Sequence, residues 1–527
     1  MNYRKFNNAS TVFILIVMMV LSMSCSEKIP TDLSKESIIP KPISIVTTGE
    51  SFTLKSRTNI YIQGGSDELR QIGQSLANIL QPATGFDFDV KFTNKAPRSG
   101  HIYLTVSDSD SKLGDEGYEL SINRKMLKLA ANSPAGLFRG IQTIRQILPT
   151  KIELSEKQEG PWKISTGTIT DYPDYSYRGA MLDVSRHFFG VDDVKRFIDF
   201  LALYKMNVFH LHLSDDQGWR IEIKSWPDLA THGGSTQVGG GEGGYYTQKQ
   251  YSDIVSYADK HYITVIPEID MPGHTNAALS SYAELNCNGK ATDLYTGTRV
   301  GFSTLCTNKE ITYSFIENVL NEIADLTTGP YIHIGGDESH STKREDYIPF
   351  INKVQDIVAA QGKQVIGWDD IAISSLKPGA VAQHWANIKN ARSAVDQGVK
   401  IIMSPAKKAY LDMQYDESTK LGLHWAGYIE VDSGYMWDPA TLIPGIEREN
   451  ILGVEAPLWT ETVTSMDEIE YMVFPRLPGY AEIGWTSSSL RDWNEYKERL
   501  GKHGERFRAM GIDFYQSGLV PWNGVMQ

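Results

Sequence analysis

The feature that most constrains the fold is a regular alternation of short apolar segments with helical patterns between residues 179 and 483. Eight apolar runs are typical of buried strands, at 179–185, 208–215, 263–270, 331–337, 364–369, 380–385, 400–404 and 453–459. Six stretches between or after them have helical periodicity, at 191–205, 247–261, 310–326, 347–361, 388–397 and 466–483. This α/β alternation favours a parallel sheet, and eight units predict a (β/α)8 TIM barrel. An open, doubly wound sheet is the structural alternative.

The region before this alternation has a different character. Between residues 38 and 171, short strand-like runs are interrupted by two helical patterns, at 67–80 and 134–148. This mixture predicts a small α+β domain. Its sequence has no clustered acids or histidines and no glycine-rich phosphate loop. We therefore divide the chain into an α+β domain at 38–171 and a catalytic barrel at 172–527.

The N-terminus resembles an export signal. Arg4 and Lys5 precede an apolar run at 11–21, which is shorter than a membrane-spanning helix needs and is followed by the segment Ser-Met-Ser and Cys25. This arrangement resembles a bacterial lipoprotein signal, in which the cysteine becomes the lipidated N-terminus. We expect residues 1–25 to be the signal, residues 26–37 a polar tether, and the protein to be exported and lipid-anchored to a bacterial membrane, in the periplasm or at the cell surface. Ordinary secretion is the alternative.

Two other cysteines and the net charge narrow the possible environments and partners. Cys287 and Cys306 lie in a polar stretch after the third predicted strand. In an oxidising compartment we expect them to form a disulfide, with two free thiols as the alternative.

The net charge of the 527-residue chain is −13, and no long basic run occurs. Nucleic acid is therefore not an expected partner.

One predicted strand, the fourth, ends in a pair of carboxylates. The apolar run from Tyr331 leads into Gly335 and Gly336, and then into Asp337 and Glu338. Neighbouring side chains on a strand normally point to opposite faces, but two glycines allow the backbone to bend and bring both acids to one cleft. Two like charges held close together raise the pKa of at least one carboxyl group, as general acid catalysis requires. A turn with two solvated acids is the structural alternative.

The carboxyl ends of the other predicted strands are also rich in polar and aromatic residues. In a barrel these ends meet at one face, where the active site lies. The residues are His210, His212, Asp215, Asp216, Glu268, Asp270, His274, His333, Trp368, Asp369, Trp385, Tyr410, Asp412, Trp459 and Glu461. Carboxylates accept hydrogen bonds from hydroxyl groups, and aromatic faces stack on apolar C–H faces, so the combination suits a sugar.

Four segments at predicted strands carry a specific pattern: Arg178-Gly-Ala-Met-Leu-Asp-Val-Ser-Arg-His187, His210-Leu-His-Leu-Ser-Asp-Asp-Gln-Gly-Trp219, Pro267-Glu-Ile-Asp-Met-Pro-Gly-His274 and His333-Ile-Gly-Gly-Asp-Glu338. In this order they resemble the signature blocks of family 20 glycoside hydrolases, the β-N-acetylhexosaminidases. The resemblance extends from about residue 172 to the end, and the preceding α+β domain also fits the family. It implies an exo-acting, retaining enzyme that hydrolyses terminal N-acetyl-D-hexosamine residues from glycans.

The resemblance also implies a substrate-assisted mechanism, which is an exception to the two-carboxylate scheme. The 2-acetamido oxygen of the substrate attacks the anomeric carbon and forms an oxazolinium intermediate. Glu338 is implied as the general acid and then base, and Asp337 as the group that orients the acetamido N–H. No cofactor and no metal are implied.

Further roles are implied by the same resemblance. Trp368, Trp385 and Trp459 resemble the walls of the acetamido pocket, and Tyr410 a donor to the acetamido carbonyl. Arg178, Asp412 and Glu461 are implied as ligands of the sugar hydroxyls, and His274 and Asp215 as support for the acid. The polar barrel groups interpreted as structural are Asp183, His187, Asp216, Glu268 and Asp270.

Two rival functions stay open at this point. His210 and His212 have strand spacing on one face, and His274 and His333 end later strands, as in some metal-dependent barrel hydrolases. From another class, the chain could be a surface lipoprotein that binds glycans without catalysis. The sequence leaves open whether gluco- or galacto-configured substrates are preferred and whether a mono- or disaccharide is released.

Overall fold

A computed structural model describes residues 32–107 and 110–522, and the predicted signal with Cys25 lies outside these ranges. The described chain forms an α+β domain followed by a closed eight-stranded barrel, so the predicted fold class is confirmed. The domain strands are β1 (Ser44–Leu54), β2 (Ile60–Gln63), β3 (Val90–Thr93), β4 (His101–Val106), β5 (Tyr118–Asn123), β6 (Met126–Ala131) and β7 (Trp162–Asp171). The barrel strands are β8 (Tyr177–Asp183), β9 (Val208–His212), β10 (Thr264–Glu268), β11 (Tyr331–His333), β12 (Gln364–Trp368), β13 (Val381–His384), β14 (Lys400–Met403) and β15 (Ile451–Leu458).

Helices cover one face of the domain sheet and surround the barrel. They are α1 (Asp67–Thr84), α2 (Pro134–Ile147), α3 (Val191–Leu203), α4 (Asp228–Thr231), α5 (Gln248–Asp259), α6 (Asn276–Ser281), α7 (Glu310–Leu326), α8 (Arg344–Ala360), α9 (Ile388–Asp396), α10 (Ala406–Ala409), α11 (Val431–Tyr435), α12 (Pro439–Leu442), α13 (Met466–Val473), α14 (Leu477–Trp485) and α15 (Trp493–Ala509). Ser66 and Ser133 cap α1 and α2 by accepting from backbone N–H groups of the first turn.

The domain sheet has the strand order β1-β7-β5-β6-β4-β2-β3 and mixes parallel with antiparallel pairs. Apolar residues of α1, α2 and one sheet face form a single core. Leu33, within the predicted tether, is completely buried in this core, and its N–H donates to Thr47 Oγ1. The described residues 32–37 are therefore packed against the domain, and the predicted tether is wrong for that part.

The barrel is closed because β8 pairs in parallel with both β9 and β15. This closure excludes the open-sheet alternative, and each of the eight predicted strands has an observed counterpart. The strand β11 is shorter than predicted because the backbone leaves the sheet before Gly335 and Gly336, which both have positive φ. The predicted helix at 466–483 is two helices, α13 and α14, since Pro475 between them lacks the N–H that a continuous helix needs.

Arg178 lies at the amino end of β8, opposite the face where barrel active sites form. Its guanidinium is completely buried, donates to Tyr175 O at 2.8 Å and pairs with Glu116 of the α+β domain at 2.5 Å. Arg139 binds the same Glu116 carboxylate at 2.9 Å, so these groups join the two domains. The role of sugar ligand predicted for Arg178 is therefore wrong.

Cys287 and Cys306 form the predicted disulfide. It closes a loop that reaches the carboxyl face of the barrel, where Ser303 Oγ donates to Asp216 Oδ1 at 2.5 Å. In the part of the chain that the structure describes, no helix is both long enough and apolar enough to cross a membrane.

Candidate active site

The turn after β11 brings Asp337 and Glu338 into one cleft. Gly335 and Gly336 have φ values of +65° and +99°, which bend the chain as the two glycines predicted. Gly336 N donates to Asp270 Oδ1 at 3.0 Å, so the end of β10 fixes the turn. A Cβ atom on Gly335 would lie only 1.8 Å from Asp270 Oδ1. The close approach of these two segments therefore requires glycine at this position.

His274 connects the two carboxylates. Its Nε2 lies 3.6 Å from Asp337 Oδ2 and 3.6 Å from Glu338 Oε2, and its Nδ1 donates to Asp215 Oδ1 at 3.2 Å. Asp337 is nearly buried, whereas the Glu338 side chain is 30% exposed. The predicted acid pair and its two predicted supporting groups are thus together at the carboxyl ends of the strands.

The two acids have opposite electrostatic environments. Burial raises the pKa of Asp337, and the Glu338 charge adds to this effect while His274 opposes it. Burial acts in the same direction on Glu338, but the hydrogen bond and charge of His274 outweigh it, so the pKa of Glu338 lies below its ordinary value. Burial alone would lower the pKa of His274, yet Asp215 and Asp337 raise it well above its ordinary value. The like-charge effect therefore raises the pKa of Asp337, not that of Glu338.

A buried network below His274 holds this arrangement. His212 Nε2 donates to Asp215 Oδ2 at 3.0 Å, and its Nδ1 lies 2.5 Å from Glu268 Oε2. Glu268 also accepts from the Trp368 indole N–H at 2.9 Å. The network therefore connects the imidazole beside the two acids to the Trp368 ring.

The four histidines on which the metal-dependent alternative rests do not form one cluster among the described residues. His210 and His333 have nitrogens close to Glu268 oxygens, deep in the barrel, whereas His274 lies with Asp215 and Asp337. His210 Nδ1 is 2.8 Å from a second carboxylate, that of Glu455. These contacts make His210 and His333 parts of the buried network.

The three predicted tryptophans lie together beside the acid pair. The Trp368 and Trp459 ring centroids are 5.7 Å apart, and the Tyr410 ring is 6.3 Å from Trp459. Trp385 packs against the same apolar cluster, and its indole N–H donates to Asp370 Oδ2 at 3.0 Å. These rings form one aromatic cluster at the carboxyl ends of the barrel strands. The sequence did not predict a role for Asp370, because a polar residue after a strand does not reveal which side chain it will bind.

Asp412 and Glu461 follow β14 and β15, and they lie close enough for the Glu461 charge to act on Asp412. Both Asp412 carboxylate oxygens and Glu461 Oε2 are buried without a hydrogen-bond partner in the protein. Burial raises the pKa of Asp412 well above its ordinary value, with a further increase from Glu461. Burial likewise raises the pKa of Glu461, although the Arg186 charge opposes this. Buried acceptors of this kind need donors from outside the protein, as sugar hydroxyls would supply.

Arg186 is a site residue that the sequence interpretation missed. It follows β8 at the carboxyl end, its Nη2 lies 2.9 Å from Asp215 Oδ2, and its guanidinium lies 4.7 Å from the centre of the Trp459 ring. Its Nε has no partner in the protein. Arg178 and Arg186 belong to the same signature block, but only Arg186 follows the carboxyl end of β8, where the active site of a barrel lies. The direction of the strand therefore distinguishes the two arginines.

Five polar groups interpreted as structural hold the loops and strand ends in place; they are Asp183, His187, Asp216, Glu268 and Asp270. Asp183 accepts from the backbone N–H groups of Ser185 at 2.7 Å and Thr460 at 3.1 Å, which joins the ends of β8 and β15. Asp216 accepts from Asn276 N at 2.9 Å, which fixes the start of α6. These contacts agree with the structural interpretation.

Comparison with known proteins identifies the family. The model of "Glycosyl hydrolase family 20, catalytic domain" matches residues 175–488, and that of "Glycosyl hydrolase family 20, domain 2" matches residues 35–172. The chain is 40% identical over 492 residues to a β-N-acetylhexosaminidase of Cellulomonas fimi, covering 93% of this chain and 97% of the relative.

Solved structures agree with this comparison. The N-acetyl-β-hexosaminidase of Streptomyces plicatus, in complex with the ligand Thio-NAglucal, is 50% identical, with a TM-score of 0.91 over 94% of this chain and 99% of that one. The family 20 β-N-acetylhexosaminidase of Streptomyces coelicolor is also 50% identical, with a TM-score of 0.90 over 94% of this chain and 100% of that one. The barrel, its pocket and these matches together show that the chain belongs to glycosyl hydrolase family 20 and is a glycoside hydrolase.

Proposed function

We propose that the protein is an exo-acting, retaining β-N-acetylhexosaminidase in which the acetamido group of the substrate is the nucleophile. The observation that carries this proposal is the position of Asp337. Its Oδ1 is a buried acceptor without a protein partner, and it is adjacent in sequence to Glu338. Burial raises the pKa of Tyr410, which belongs to the tryptophan cluster, and the Asp337 charge contributes to this increase. A buried carboxylate oxygen next to apolar walls suits an amide N–H attached to a methyl-bearing carbonyl.

In the first step, the acetamido oxygen attacks the anomeric carbon while the bond to the leaving oxygen breaks. Glu338 gives its proton to that leaving oxygen. Asp337 accepts from the acetamido N–H and stabilises the positive charge of the oxazolinium ring. In the second step Glu338 takes a proton from water, which attacks the same carbon and reopens the ring with overall retention.

Glu338 needs a proton before the first step, although His274 lowers its pKa in the unliganded protein. The Glu338 side chain is 30% exposed there, so a glycan that covers it would remove water from the carboxylate. Removal of water raises a carboxyl pKa. Substrate binding would therefore move Glu338 toward its acid form, and Asp337 would keep its charge because the oxazolinium forms beside it.

The pocket walls would hold the acetamido group in position for attack. Trp368 and Trp459 exclude water from the amide, and Tyr410 would donate its hydroxyl to the carbonyl oxygen. A correctly positioned intramolecular nucleophile can supply a large part of the rate enhancement. Trp368 is itself held by Glu268, so this wall has a fixed orientation.

The far side of the pocket accounts for exo action. Asp412 and Glu461 offer their unpaired buried oxygens to the hydroxyl groups of the terminal sugar, and Arg186 offers its unpaired Nε. Arg186 thus takes the role that had been predicted for Arg178.

On the open side, the exposed Trp425 ring lies 6.0 Å from Tyr410 and 6.2 Å from Trp385, where it can stack on the leaving sugar.

We also propose export and lipid anchoring through Cys25. The support is in the sequence alone: Arg4 and Lys5, the apolar run at 11–21, and Cys25 four residues after its end. Cys25→Ala should give soluble or unprocessed protein in cell fractionation. An unchanged share of the protein in the membrane fraction would contradict the anchor.

The test of the catalytic proposal compares two aryl glycosides. The protein should release 4-nitrophenol from 4-nitrophenyl N-acetyl-β-D-glucosaminide and leave 4-nitrophenyl β-D-glucoside nearly untouched, because only the first carries the nucleophile. Comparable kcat/KM values on both substrates would refute acetamido participation. Product analysis by NMR should show the β-anomer first.

A further inference from the structure

One turn beside Tyr410 and Trp385 has an unusual concentration of exposed aromatic rings. Among the described residues, three large aromatic side chains are strongly exposed: Tyr245, Trp425 at 57% and Tyr428 at 48%. Two of these three lie in the turn 424–428, and the exposed His424 ring stacks on Tyr428 with centroids 5.7 Å apart. Exposed aromatic rings grouped next to a binding pocket are typical of a binding surface.

The turn is attached directly to the sugar-binding side of the pocket. Leu423 N donates to Asp412 O at 2.8 Å, and Ile429 N donates to Gln414 O at 2.9 Å, so both ends of the turn are fixed to the segment that carries Asp412. Gly427 N donates to His424 O at 3.0 Å and closes the turn itself. The stacked pair therefore shares one turn with Trp425, whose ring lies next to Tyr410 and Trp385.

We propose that His424 and Tyr428 form a further glycan subsite, which binds the second sugar on the leaving-group side of the scissile bond. This proposal rests on the proposed function. Two rings with polar edges offer a face for a pyranose ring and hydrogen-bonding groups for its hydroxyls. The pair is too small for a stable protein interface, which buries about 1,200 Å² or more. A glycan chain that leaves the pocket past Trp425 is the occupant that fits this size and position.

The subsite predicts a preference for longer substrates. We expect kcat/KM to be about five- to tenfold higher for the N-acetylglucosamine β-1,4-trisaccharide than for the disaccharide, the size expected when one sugar face is buried on a ring. His424→Ala and Tyr428→Ala should each remove most of this ratio, and Tyr428→Phe should keep part of it. Lys420→Ala, an exposed change in the same loop, is the matched control and should leave the ratio as in the wild type.

The outcomes separate the subsite from the proposed function. An unchanged trisaccharide-to-disaccharide ratio in both alanine variants, with the wild type still cleaving the 4-nitrophenyl N-acetylglucosaminide, would overturn the subsite alone. An equal loss on the trisaccharide, disaccharide and aryl glycoside would also overturn it, because the pair would then only support Trp425. Failure of the wild type to cleave any of the three would overturn both proposals.

Discussion

Replacing Gly335 with alanine is expected to damage both stability and activity because two effects add at this position. A non-glycine residue at φ +65° costs about 1–2 kcal/mol. The new Cβ would also lie 1.8 Å from Asp270 Oδ1, so the carboxylate must move and the buried Gly336 N–H loses its acceptor. A buried donor left unpaired costs about 1–3 kcal/mol, which brings the expected loss of unfolding free energy to about 2–5 kcal/mol.

The same displacement should affect catalysis, since Asp337 and Glu338 follow the turn directly. A shift of about 1 Å in catalytic groups can reduce the rate about 100-fold, so we expect a fall of that order in kcat/KM on the aryl N-acetylglucosaminide. Gly362→Ala is the matched control. Gly362 has φ +72°, no atom lies within 4 Å of its added Cβ, and it precedes β12 at the opposite end of the barrel.

Urea denaturation and steady-state kinetics on the two variants would measure both effects. Gly362→Ala should lose only about 1–2 kcal/mol and keep its kcat/KM. If Gly335→Ala behaves like Gly362→Ala in both measurements, the close approach of β10 and the β11 turn does not position the acids, and the reasoning is refuted.

Two further predictions concern residues that the sequence interpretation did not single out. Burial, together with the neighbouring Asp369 charge, raises the pKa of Asp370 to about 7. Between about pH 4 and pH 7 the Asp370 carboxyl group is therefore protonated in the folded protein and ionised in the unfolded chain. The unfolding free energy of the wild type should therefore fall as pH rises from 4 to 7. Asp370→Asn should be more stable than the wild type at pH 8, by at most about 4 kcal/mol, and equally stable at pH 4. If denaturation curves give the same difference between variant and wild type at both pH values, this prediction is contradicted. Trp425→Ala should lower kcat/KM about tenfold more for the disaccharide N,N′-diacetylchitobiose than for N-acetylglucosaminyl fluoride, because fluoride is too small to contact the ring. Equal losses of kcat/KM on both substrates would exclude stacking of Trp425 on the leaving sugar.

Much of the fold could be predicted because local signals agreed with one another. Each barrel strand is a short apolar run, and closure follows from eight such units. The paired acids could also be predicted, because Gly335 and Gly336 before Asp337 and Glu338 indicate a bend.

Other features depend on long-range packing, which a local pattern does not contain. Leu33 is one apolar residue in a polar segment, and only the domain core shows that it is buried. The turn around Trp425 lies in a long irregular connection, so its place beside Tyr410 could not be inferred from spacing. The motif contains two arginines, and only the position of Arg178 at the amino end of β8 shows that it lies away from the active site.

The separate roles of Asp337 and Glu338 are the central claim, and the rate of the glycosylation step tests them most directly. Pre-steady-state measurement of this step, over a series of leaving groups, avoids interference from slow hydrolysis of the intermediate. Glu338→Gln removes the proton donor, so its loss should be about 10²–10⁴-fold for poor leaving groups and much smaller for activated aryl groups. Asp337→Asn weakens the orientation and charge stabilisation of the acetamido group, so its loss should persist across the whole series. The same leaving-group dependence in both variants would contradict the account.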